Sequence, residues 1–496
     1  MSEQYDVVIV GAGNAAFCAA LSARESGARV LVLERAPEDV SGGNSRFTAG
    51  LMRVAYRGVD DLKRVIPDLT ADEIANSDFG VYTEEQFLDD LARVTENRCD
   101  PDLAELLVKR SLDTVAWMNA KGVRFTAAWG RQAFNIGGRF KFWGGLTVEA
   151  VGGGPGLVQN LTVAAKKHGI DIWYHARAMA LLHDDDGIQG VRVKRDGKTI
   201  GVAAKAVVLA AGGFQANPEW RTRYLGPGWE LAKVRGTRFN TGDGIRMALD
   251  AGAAAAGNWS GCHAVAWERN APEFGDLVVG DQYQKHSYPW GIYLNAEGKR
   301  FLDEGADFRN YTYAKYGRVI LQQPGQFAWQ VFDAKVKSQL RDEYRIKQVT
   351  KVVASTLEEL VAKLDDVNAA VALEEIKAYN AAVRTDVPFN PNIKDGRCTT
   401  GLAINKSNWA NTLDTPPFEA YAVTCGITFS FGGLRINTDA QVMSSDGEPI
   451  AGLFAAGELV GGIFWFNYPG GSGLTNGAVF GRIAGASAAK AAKPAG

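Results

Sequence analysis

The chain has 496 residues, of which 46% are hydrophobic and 22% charged, and its net charge is −2. This length predicts two or three domains, and the composition is that of an ordinary soluble globular protein. The nearly balanced charge gives no reason to expect a nucleic acid or an anionic membrane as a partner.

The cysteines and the apolar residues exclude further classes of protein. The five cysteines lie far apart, without the paired spacing of a zinc, haem or iron–sulfur site, so we expect no metal. No apolar run approaches the roughly 20 residues that a membrane span needs. The first strand begins too close to the N-terminus for a cleaved targeting segment, so we expect a cytoplasmic protein.

Residues 1–34 have the pattern of a dinucleotide-binding βαβ unit. The pattern predicts a strand over 5–10, the glycine turn 11–16, a helix over 17–26 and a second strand over 29–33, which ends in Glu34. The alternative is a glycine turn in an α/β sheet that binds no nucleotide.

Each residue type in this unit suits a dinucleotide. Gly11 lets the chain turn, and Gly13 lets the backbone approach a pyrophosphate at the helix N-terminus. Ala16 occupies the third small position, where the helix packs on the strand. Glu34 is spaced to accept hydrogen bonds from ribose hydroxyls.

Loops and helices alternate after this unit. A second glycine cluster spans 42–50, and the spacing of apolar residues predicts helix over 84–121. The segment 129–156 is rich in glycine and aromatic residues and is predicted to be a loop. A helix over 157–168 and a strand over 171–174 follow it.

The domain organisation follows from the remaining pattern. A β-meander with strands at 179–182, 190–194 and 199–202 leads into a buried parallel strand at 206–210. Residues 258–415 contain several helical stretches and no strand–glycine–helix unit, and the β pattern returns after Pro416. We predict an α/β fold, with a discontinuous Rossmann-type cofactor domain (1–257 and 416–496) and an inserted α+β cap domain (258–415).

Further glycine-rich segments indicate a ligand longer than a nicotinamide nucleotide. They are 42–50, 210–213, 240–244, and 457–458 followed by a loop at 470–477 and a helix from about residue 478. The N-terminus of that last helix is placed to stabilise the negative charge that a reduced flavin carries near N1 and O2.

These segments resemble an FAD-binding family that includes fumarate reductases, succinate dehydrogenase flavoproteins, tricarballylate dehydrogenase and 3-ketosteroid dehydrogenases. The strings Ala-Ala-Gly-Glu-Leu-Val-Gly-Gly at 455–462 and Gly-Arg-Ile-Ala-Gly at 481–485 are specific to that family. Within it, the strings at 42–50 and 466–471 look most like the tricarballylate dehydrogenase branch.

The resemblance implies FAD and a set of residues that bind it. Glu34 would hold the adenosine ribose, Glu458 would hold the ribityl chain, and 474–476 would cover the carbonyl edge of the flavin. The chain has Ser-Arg-Phe at 45–47, where covalent members carry a histidine, so the FAD should be non-covalent. The implied FAD-binding residues are Gly11, Gly13, Asn14, Ala15, Ala16, Glu34, Arg35, Gly42, Gly43, Asn44, Ser45, Thr48, Ala49, Gly50, Ala178, Ala211, Gly212, Gly213, Asn240, Asp243, Gly457, Glu458, Gly473, Leu474, Thr475 and Asn476.

The resemblance also suggests how the chain would move a proton. In fumarate reductases a cap arginine donates it, a few residues after a Gly-x-Arg-Phe-x-x-Glu string. Residues 298–304 match that string, and Arg309 lies one residue beyond the family spacing. A guanidinium is a poor base because its pKa exceeds about 12, so Tyr311, Tyr313 and Tyr468 stay alternatives; ketosteroid members use tyrosines.

The resemblance also implies residues that contact the substrate, and at two of these positions the chain differs from the family. His263 lies about where a substrate-binding histidine sits in fumarate reductases, and His286 is a second candidate. The family's second histidine is Phe429 here, and its substrate-clamping arginine is Tyr468. A C4 dicarboxylate is therefore not expected, although Arg131, Arg139 and Lys141 remain candidates for holding a carboxylate.

We therefore expect an FAD-dependent dehydrogenase that forms a C=C bond beside a carboxylate or ketone of a small-molecule substrate. An enoate reductase of the fumarate reductase type and a ketosteroid-like dehydrogenase are alternatives. A nicotinamide-linked oxidoreductase and a non-catalytic flavin-binding subunit are others. Because no haem or iron–sulfur motif is present, electrons should pass to a separate protein, a quinone or oxygen.

Overall fold

The computed structural model describes residues 4–142 and 145–493. The helices of this part are α1 (Asn14–Glu25), α2 (Val59–Val65), α3 (Ala71–Ala75), α4 (Glu84–Val94), α5 (Pro101–Ala120), α6 (Trp129–Gln132), α7 (Gly153–Lys167), α8 (Pro218–Trp220), α9 (Asp243–Asp250), α10 (Tyr313–Leu321), α11 (Leu357–Ala362), α12 (Ala369–Ala382) and α13 (Ser472–Ala491). Its strands are β1 (Gln4–Val10), β2 (Val30–Leu33), β3 (Leu51–Met52), β4 (Ser77–Asp78), β5 (Phe125–Ala127), β6 (Ala133–Ile136), β7 (Arg139–Phe142), β8 (Val148–Ala150), β9 (Asp171–Trp173), β10 (Arg177–Asp184), β11 (Gly187–Arg195), β12 (Lys198–Leu209), β13 (Lys233–Val234), β14 (Ala255–Glu268), β15 (Ile292–Leu294), β16 (Phe327–Phe332), β17 (Lys351–Ala354), β18 (Phe418–Leu434), β19 (Gln441–Met443) and β20 (Pro449–Ala455).

The chain divides into two compact units. The first contains the described residues up to Glu230, then Gly236–His263, and those from Thr428 onward. The second contains Leu231–Arg235 and Ala264–Ile427. The boundaries predicted from the sequence, at 257/258 and 415/416, stay predictions.

A mixed sheet forms the centre of the first unit, with β20, β12, β1, β2 and β9 parallel and the β10–β11, β11–β12 and β19–β20 pairs antiparallel. Its strand order is β10-β11-β12-β1-β2-β9, with β20 also paired to β12 and β19 to β20. β1 lies between β12 and β2 and is parallel to both. All four residues of β2 are buried, as expected for a strand covered on both faces of a parallel sheet. The predicted α/β fold class is confirmed.

Helices α1 and α13 pack very closely because three glycines line their contact. Gly477, Gly481 and Gly485 recur every four residues along α13. A Cβ at Gly481 would lie 2.4 Å from the carbonyl oxygen of Ala15, and one at Gly485 would lie 2.1 Å from that of Ala19. Only glycine permits this approach, which fixes the N-terminal turns of the two helices beside each other.

The second unit is built around β18. This strand pairs with β13 in parallel and with β16 and β17 in antiparallel fashion, while β15 continues the sheet beyond β16. Its hydrophobic core includes Ile292, Trp329, Leu360, Ile376 and Tyr379. Residues from β15 and β16 therefore share one core with α11 and α12.

Several predicted elements were wrong in extent. The segment 129–156 is not a loop, since it contains α6, β6, β7, β8 and the first turn of α7; its residues 143–144 lie outside the described part. The predicted helix over 84–121 is two helices, because Asp100 caps a new helix with Pro101 in its first turn.

The last strand of the meander and the following parallel strand are also continuous: the predicted strands at 199–202 and 206–210 belong to one strand, β12, which ends at Leu209. Helix α13 begins at Ser472 rather than near 478. In the described part of the chain, no helix is long and apolar enough to cross a membrane.

Candidate active site

The turn between β1 and α1 has the geometry of a phosphate-binding loop. Gly11 has φ +110°, and a Cβ there would lie 2.4 Å from the carbonyl oxygen of Ala210, so the position requires glycine. Gly13 caps α1 with ordinary extended backbone and no side-chain cap. Ser45 Oγ accepts the N–H of Asn14 at 3.0 Å. The positive N-terminus of α1 is thus left without a capping carboxylate.

Glu34 is buried at the end of β2, where the ribose was predicted. Its Oε1 accepts the N–H of Ala36 at 2.7 Å. Loss of solvation raises the pKa of Glu34, although backbone N–H groups, including that of Ala12, oppose the shift. The carboxylate is therefore fixed close to the glycine turn.

Two other predicted FAD contacts form an ion-pair cluster. Arg35 donates to Asp243 at 2.9 Å and to Thr241 Oγ1 at 2.7 Å. Arg177 donates to the same Asp243 carboxylate at 3.0 and 3.1 Å. This cluster joins the end of β2 to the start of α9, while Ala178 lies buried in β10, next to Arg177.

The second glycine cluster forms a short 3-10 helix, Gly43–Phe47, rather than an open loop. Asn44 donates to the carbonyl of Thr428 at 2.5 Å and accepts the N–H of Thr237 at 2.9 Å. Thr48 donates to the carbonyl of Ser45 at 2.9 Å. These side chains fix the segment, in which Gly43 is partly exposed while Gly42 and Gly50 are buried.

The start of α7 packs against the end of this second glycine cluster. A Cβ at Gly50 would lie 2.7 Å from the backbone carbon of Gly153, and one at Gly154 would lie 2.1 Å from the carbonyl oxygen of Ser45. Ala49, between these contacts, is buried. Gly153 and Gly154, in the segment predicted as a loop, therefore serve close packing.

Glu458 is held by groups from three separate segments. Its Oε1 accepts the N–H of Ser430 at 3.1 Å, and its Oε2 accepts from Gln215 at 3.2 Å and Asn240 at 3.3 Å. The surrounding protein raises the pKa of Glu458 to about 7, mainly through loss of solvation. A Cβ at Gly213 would lie 2.2 Å from its Oε1, which explains the glycine there.

Small residues surround Glu458 and Asn240. Gly212 has φ +74°, and a Cβ there would lie 2.4 Å from Asn240 Nδ2. Gly457 has φ +84°, and a Cβ there would lie 2.9 Å from Ala15 Cβ, so the residue before Glu458 contacts α1. Ala211 lies between the end of β12 and Gly212 and is partly exposed.

The first turn of α13 meets the first turn of α1. Asn14 Nδ2 donates to the carbonyl of Leu474 at 2.8 Å. Gly471 caps α13 with φ +82° and no side-chain cap. Thr475 Oγ1 donates to the carbonyl of Arg53 at 2.9 Å. Two helix N-termini thus converge among residues that the resemblance assigned to FAD.

An aromatic cluster adjoins α13 and contains two of the catalytic candidates. The His263 ring stacks on Phe429 with centroids 5.2 Å apart, and meets Tyr468 edge-on at 4.8 Å. Phe464 contacts both Phe429 and Tyr468. A Cβ at Gly473 would lie 3.7 Å from both Phe429 and Tyr468, so the cluster borders the first turn of α13.

Arg309 belongs to a different, charged cluster in the second unit. It begins a 3-10 turn, Arg309–Tyr311, and is 9% exposed. Burial lowers the pKa of the Arg309 guanidinium to about 9, and repulsion from Arg341 adds to the shift, while Glu343 and Tyr288 oppose it. The sequence-based objection that this arginine cannot exchange a proton is therefore weaker than for a free guanidinium.

The remaining candidates are distributed as follows. Tyr311 and Tyr313 are buried beside Arg309 in sequence, and the His286 ring meets Tyr313 edge-on at 4.9 Å. Arg139 and Lys141 are exposed on β7, and Arg131 Nε lies 3.9 Å from Glu149. Glu304, the last residue of the 298–304 string, accepts hydrogen bonds from Arg300.

The residues of the first unit fit FAD. A Cβ at Gly43 would meet no atom within 4 Å, and one at Gly13 would meet only Ser45 Oγ and the carbonyl of Gly42. Asn476 Oδ1, Gln215 Oε1 and Ser430 Oγ are buried and lack a hydrogen-bond partner among the described residues. Buried polar atoms need partners, and the hydroxyl and imide groups of FAD are of the type required.

Sequence reasoning did not find Gln215, Ser430 or Arg53. Gln215 and Ser430 hold Glu458, and Arg53 contacts the start of α13. Each lies next to a glycine-rich string or short strand and carries no motif of its own. The only signal was their closeness in sequence to assigned glycines, which did not distinguish them from other polar residues.

Comparison with known proteins agrees with this geometry. A family model described as an FAD binding domain matches residues 6–474. A fumarate reductase (cytochrome) of Shewanella frigidimarina is 31% identical over 497 residues, covering 98% of this chain and 77% of its own.

Two solved structures share the fold. The open conformation of a flavocytochrome c3 fumarate reductase has a TM-score of 0.73 and 29% identity, covering 99% of this chain and 79% of that one. A 3-ketosteroid Δ1-dehydrogenase from Sterolibacterium denitrificans has a TM-score of 0.75 and 21% identity, covering 99% and 100%. The second likeness concerns the fold alone.

Proposed function

The chain belongs to the FAD-binding flavoprotein family and is an FAD-dependent oxidoreductase; on this premise we propose that it forms or reduces a C=C bond beside a carboxylate or ketone. The similarity to a fumarate reductase supports the proposed oxidation or reduction of a C=C bond. The resemblance of 42–50 and 466–471 to the tricarballylate dehydrogenase branch would instead favour a tricarboxylate, and we keep that substrate as the alternative in the test below.

The aromatic cluster around His263 supports a substrate with an apolar or ring-bearing end. By the family resemblance, Phe429 and Tyr468 would stand where fumarate reductases carry a histidine and a substrate-clamping arginine. A second carboxylate buried against these rings would lose its solvation without an ionic partner. We therefore expect an enoate or ketone with a bulky apolar group in preference to a C4 dicarboxylate.

Bound FAD supplies the two-electron acceptor or donor of the reaction at N5. The remaining requirement is a proton transfer at the neighbouring carbon, together with stabilisation of enolate-like charge. Arg309 is the first candidate because its guanidinium is buried and the pKa of that group is lowered to about 9. Tyr468 is the alternative, since its ring contacts His263.

Flavin spectroscopy tests the substrate class. The oxidised holoprotein would be mixed anaerobically with tricarballylate, succinate, 3-phenylpropionate and cyclohexanone, and bleaching of the flavin band recorded. The chemically reduced holoprotein would be mixed with fumarate and cinnamate, and return of the band recorded. We expect the ring-bearing compounds to react fastest; reaction with succinate and fumarate alone would contradict the substrate class.

Two substitutions decide the proton-transfer residue. Arg309→Lys keeps the charge but loses the planar fork, so we expect at least about a 100-fold lower rate of flavin reduction, with FAD still bound. Tyr468→Phe should then have a much smaller effect. The opposite order would assign the proton to the Tyr468 hydroxyl, as in the ketone-oxidising alternative.

Matched controls separate chemistry from folding. Arg345→Lys makes the same change at an exposed arginine of the second unit, and Tyr224→Phe removes a phenol from another aromatic cluster of the first unit. Both controls should react at the wild-type rate. Near-wild-type rates in Arg309→Lys and Tyr468→Phe together would refute both residue assignments.

We also propose that the FAD is held without a covalent bond, because Ser45, Arg46 and Phe47 replace the attachment histidine. Acid precipitation should release the yellow chromophore into the supernatant. Colour that stays in the washed pellet would overturn this. Electrons would pass to or from a separate partner. To identify it, the reduced holoprotein would be mixed anaerobically with quinones or, separately, with oxygenated buffer, and return of the oxidised flavin band recorded.

A further inference from the structure

Arg53 connects β3 to the N-terminus of α13. Its side chain is fully buried, and its Nε donates to the carbonyl of Gly470 at 2.8 Å. Its backbone N–H donates to the carbonyl of Gly471 at 3.3 Å, and its own carbonyl accepts Thr475 Oγ1 at 2.9 Å. Arg53 therefore contacts the residue before the N-cap, the N-cap itself and the first turn of the helix.

The charge of Arg53 lies in a poorly solvated environment. The guanidinium carbon lies 5.1 Å from the ring centre of Tyr82 and 5.9 Å from that of Phe87. The carboxylate of Asp90 lies 4.0 Å from Nη1, and it also accepts from Tyr82 and Arg93. Because little water surrounds the group, its field is screened less than that of a surface arginine.

The positive charge of Arg53 has the same sign as the N-terminal end of α13. A helix N-terminus carries about half a positive charge and favours nearby anions. No side chain caps Gly471, so this end is not neutralised by a capping carboxylate. The arginine adds a positive charge behind the same turn, which the Asp90 carboxylate 4.0 Å away offsets in part.

We infer that Arg53 is a positioning residue that raises the reduction potential of the bound flavin, by holding the first turn of α13 and adding its charge to that helix end. The inference rests on the proposed function and on the family resemblance, which assigns residues 474–476 of that turn to the carbonyl edge of the flavin. A reduced flavin carries extra negative charge near N1 and O2, so a fixed positive charge stabilises the reduced form.

The test measures the midpoint potential of the holoprotein with a reference dye, without any substrate. Arg53→Met keeps an unbranched, although shorter, side chain and removes the charge, and we expect the ratio of reduced to oxidised flavin at a fixed potential to fall about tenfold. For a two-electron couple this is about 30 mV. Arg53→Lys should restore the ratio to within threefold of wild type. Arg223→Met, at an exposed arginine, is the matched control and should not shift the potential.

The outcomes separate an electrostatic role from a merely structural one. A lowered potential in Arg53→Met with rescue in Arg53→Lys supports the inference. An unchanged potential in Arg53→Met with FAD bound overturns it. Arg53→Met and Arg53→Lys lowering the potential by the same amount overturns it as well. If Arg53→Met does not bind FAD, Asp90→Asn decides: loss of the nearby carboxylate should raise the potential, and an unchanged value overturns the inference.

This experiment is independent of the proposed reaction. Failure of every tested compound to reduce or oxidise the flavin would refute the proposed function without affecting the potentials. Normal substrate oxidation with an unchanged potential in Arg53→Met would refute the role of Arg53 alone.

Discussion

The N-termini of α1 and α13 look alike in sequence but need glycine for different reasons. Gly13, the N-cap of α1, has φ −84° and ψ −172°, which any residue can adopt. Gly471, the N-cap of α13, has φ +82°, and a Cβ there would lie 2.2 Å from Leu146 Cδ1. Gly13 leaves open space next to the helix N-terminus. Gly471 is required because its backbone is left-handed and because a side chain would collide with Leu146.

This difference shows how ligand binding and stability can be separated. A side chain at Gly13 would meet only Ser45 Oγ at 3.4 Å and the carbonyl of Gly42 at 3.6 Å, so the apoprotein has room for a Cβ. A side chain at Gly471 would collide with the buried Leu146, and it would also have to adopt a left-handed backbone conformation that L side chains rarely adopt. Substitutions at the two positions should therefore affect different properties.

The largest expected effect is on FAD binding by Gly13→Val. Its branched side chain would enter the space assigned to the pyrophosphate, so we expect FAD affinity to fall at least about 100-fold while the apoprotein still folds. The flavin-to-protein absorbance ratio and the melting temperature of the apoprotein measure the two effects. Gly130→Val, at an exposed glycine with open space, is the control. A Gly13→Val protein that purifies fully yellow would contradict the assignment of the N-terminal unit.

Gly471→Ala should show the reverse pattern. The left-handed backbone and the contact with Leu146 should lower the free energy of unfolding by about 1–3 kcal/mol. FAD affinity should fall less than in Gly13→Val. Adding Leu146→Ala should remove the collision but not restore the stability lost to the strained φ. Chemical denaturation of the apoprotein measures the change; a variant as stable as wild type would show that the N-cap tolerates a side chain.

The smallest effect concerns Glu458 and pH. The pKa of this residue is about 7 in the folded apoprotein and near 4.5 when unfolded. Its contribution to stability is thus present below about pH 4.5 and is lost as the pH rises through 7. Glu458→Gln stays neutral, so its unfolding free energy relative to wild type should increase by about 2 kcal/mol between pH 5 and 8.

Denaturant titrations of the two apoproteins across this range measure the difference. Glu375→Gln, at a carboxylate of the second unit that Lys299 contacts, is a suitable reference. A stability difference that does not vary with pH would show that Glu458 titrates normally.

The sequence alone determined the fold class, the FAD and the family. These features depend on short-range patterns: strand periodicity, the Gly11–Gly13 turn and the placement of Glu34 after β2 all lie within one βαβ unit. Local patterns also located the glycines of α13. They did not locate the start of that helix, because glycine-rich turns and glycine-rich helix ends look the same in sequence.

Only the tertiary structure decided which residues meet. Asn14 contacts Leu474, Gln215 contacts Glu458, and His263 stacks on Phe429, in each case across more than 150 positions of the sequence. Such contacts depend on how helices and strands pack, and no periodicity of one segment encodes its distant partner. The close approach of α1 to α13, permitted by three glycines, is the physical reason that the two turns predicted to hold the phosphates and the flavin lie together.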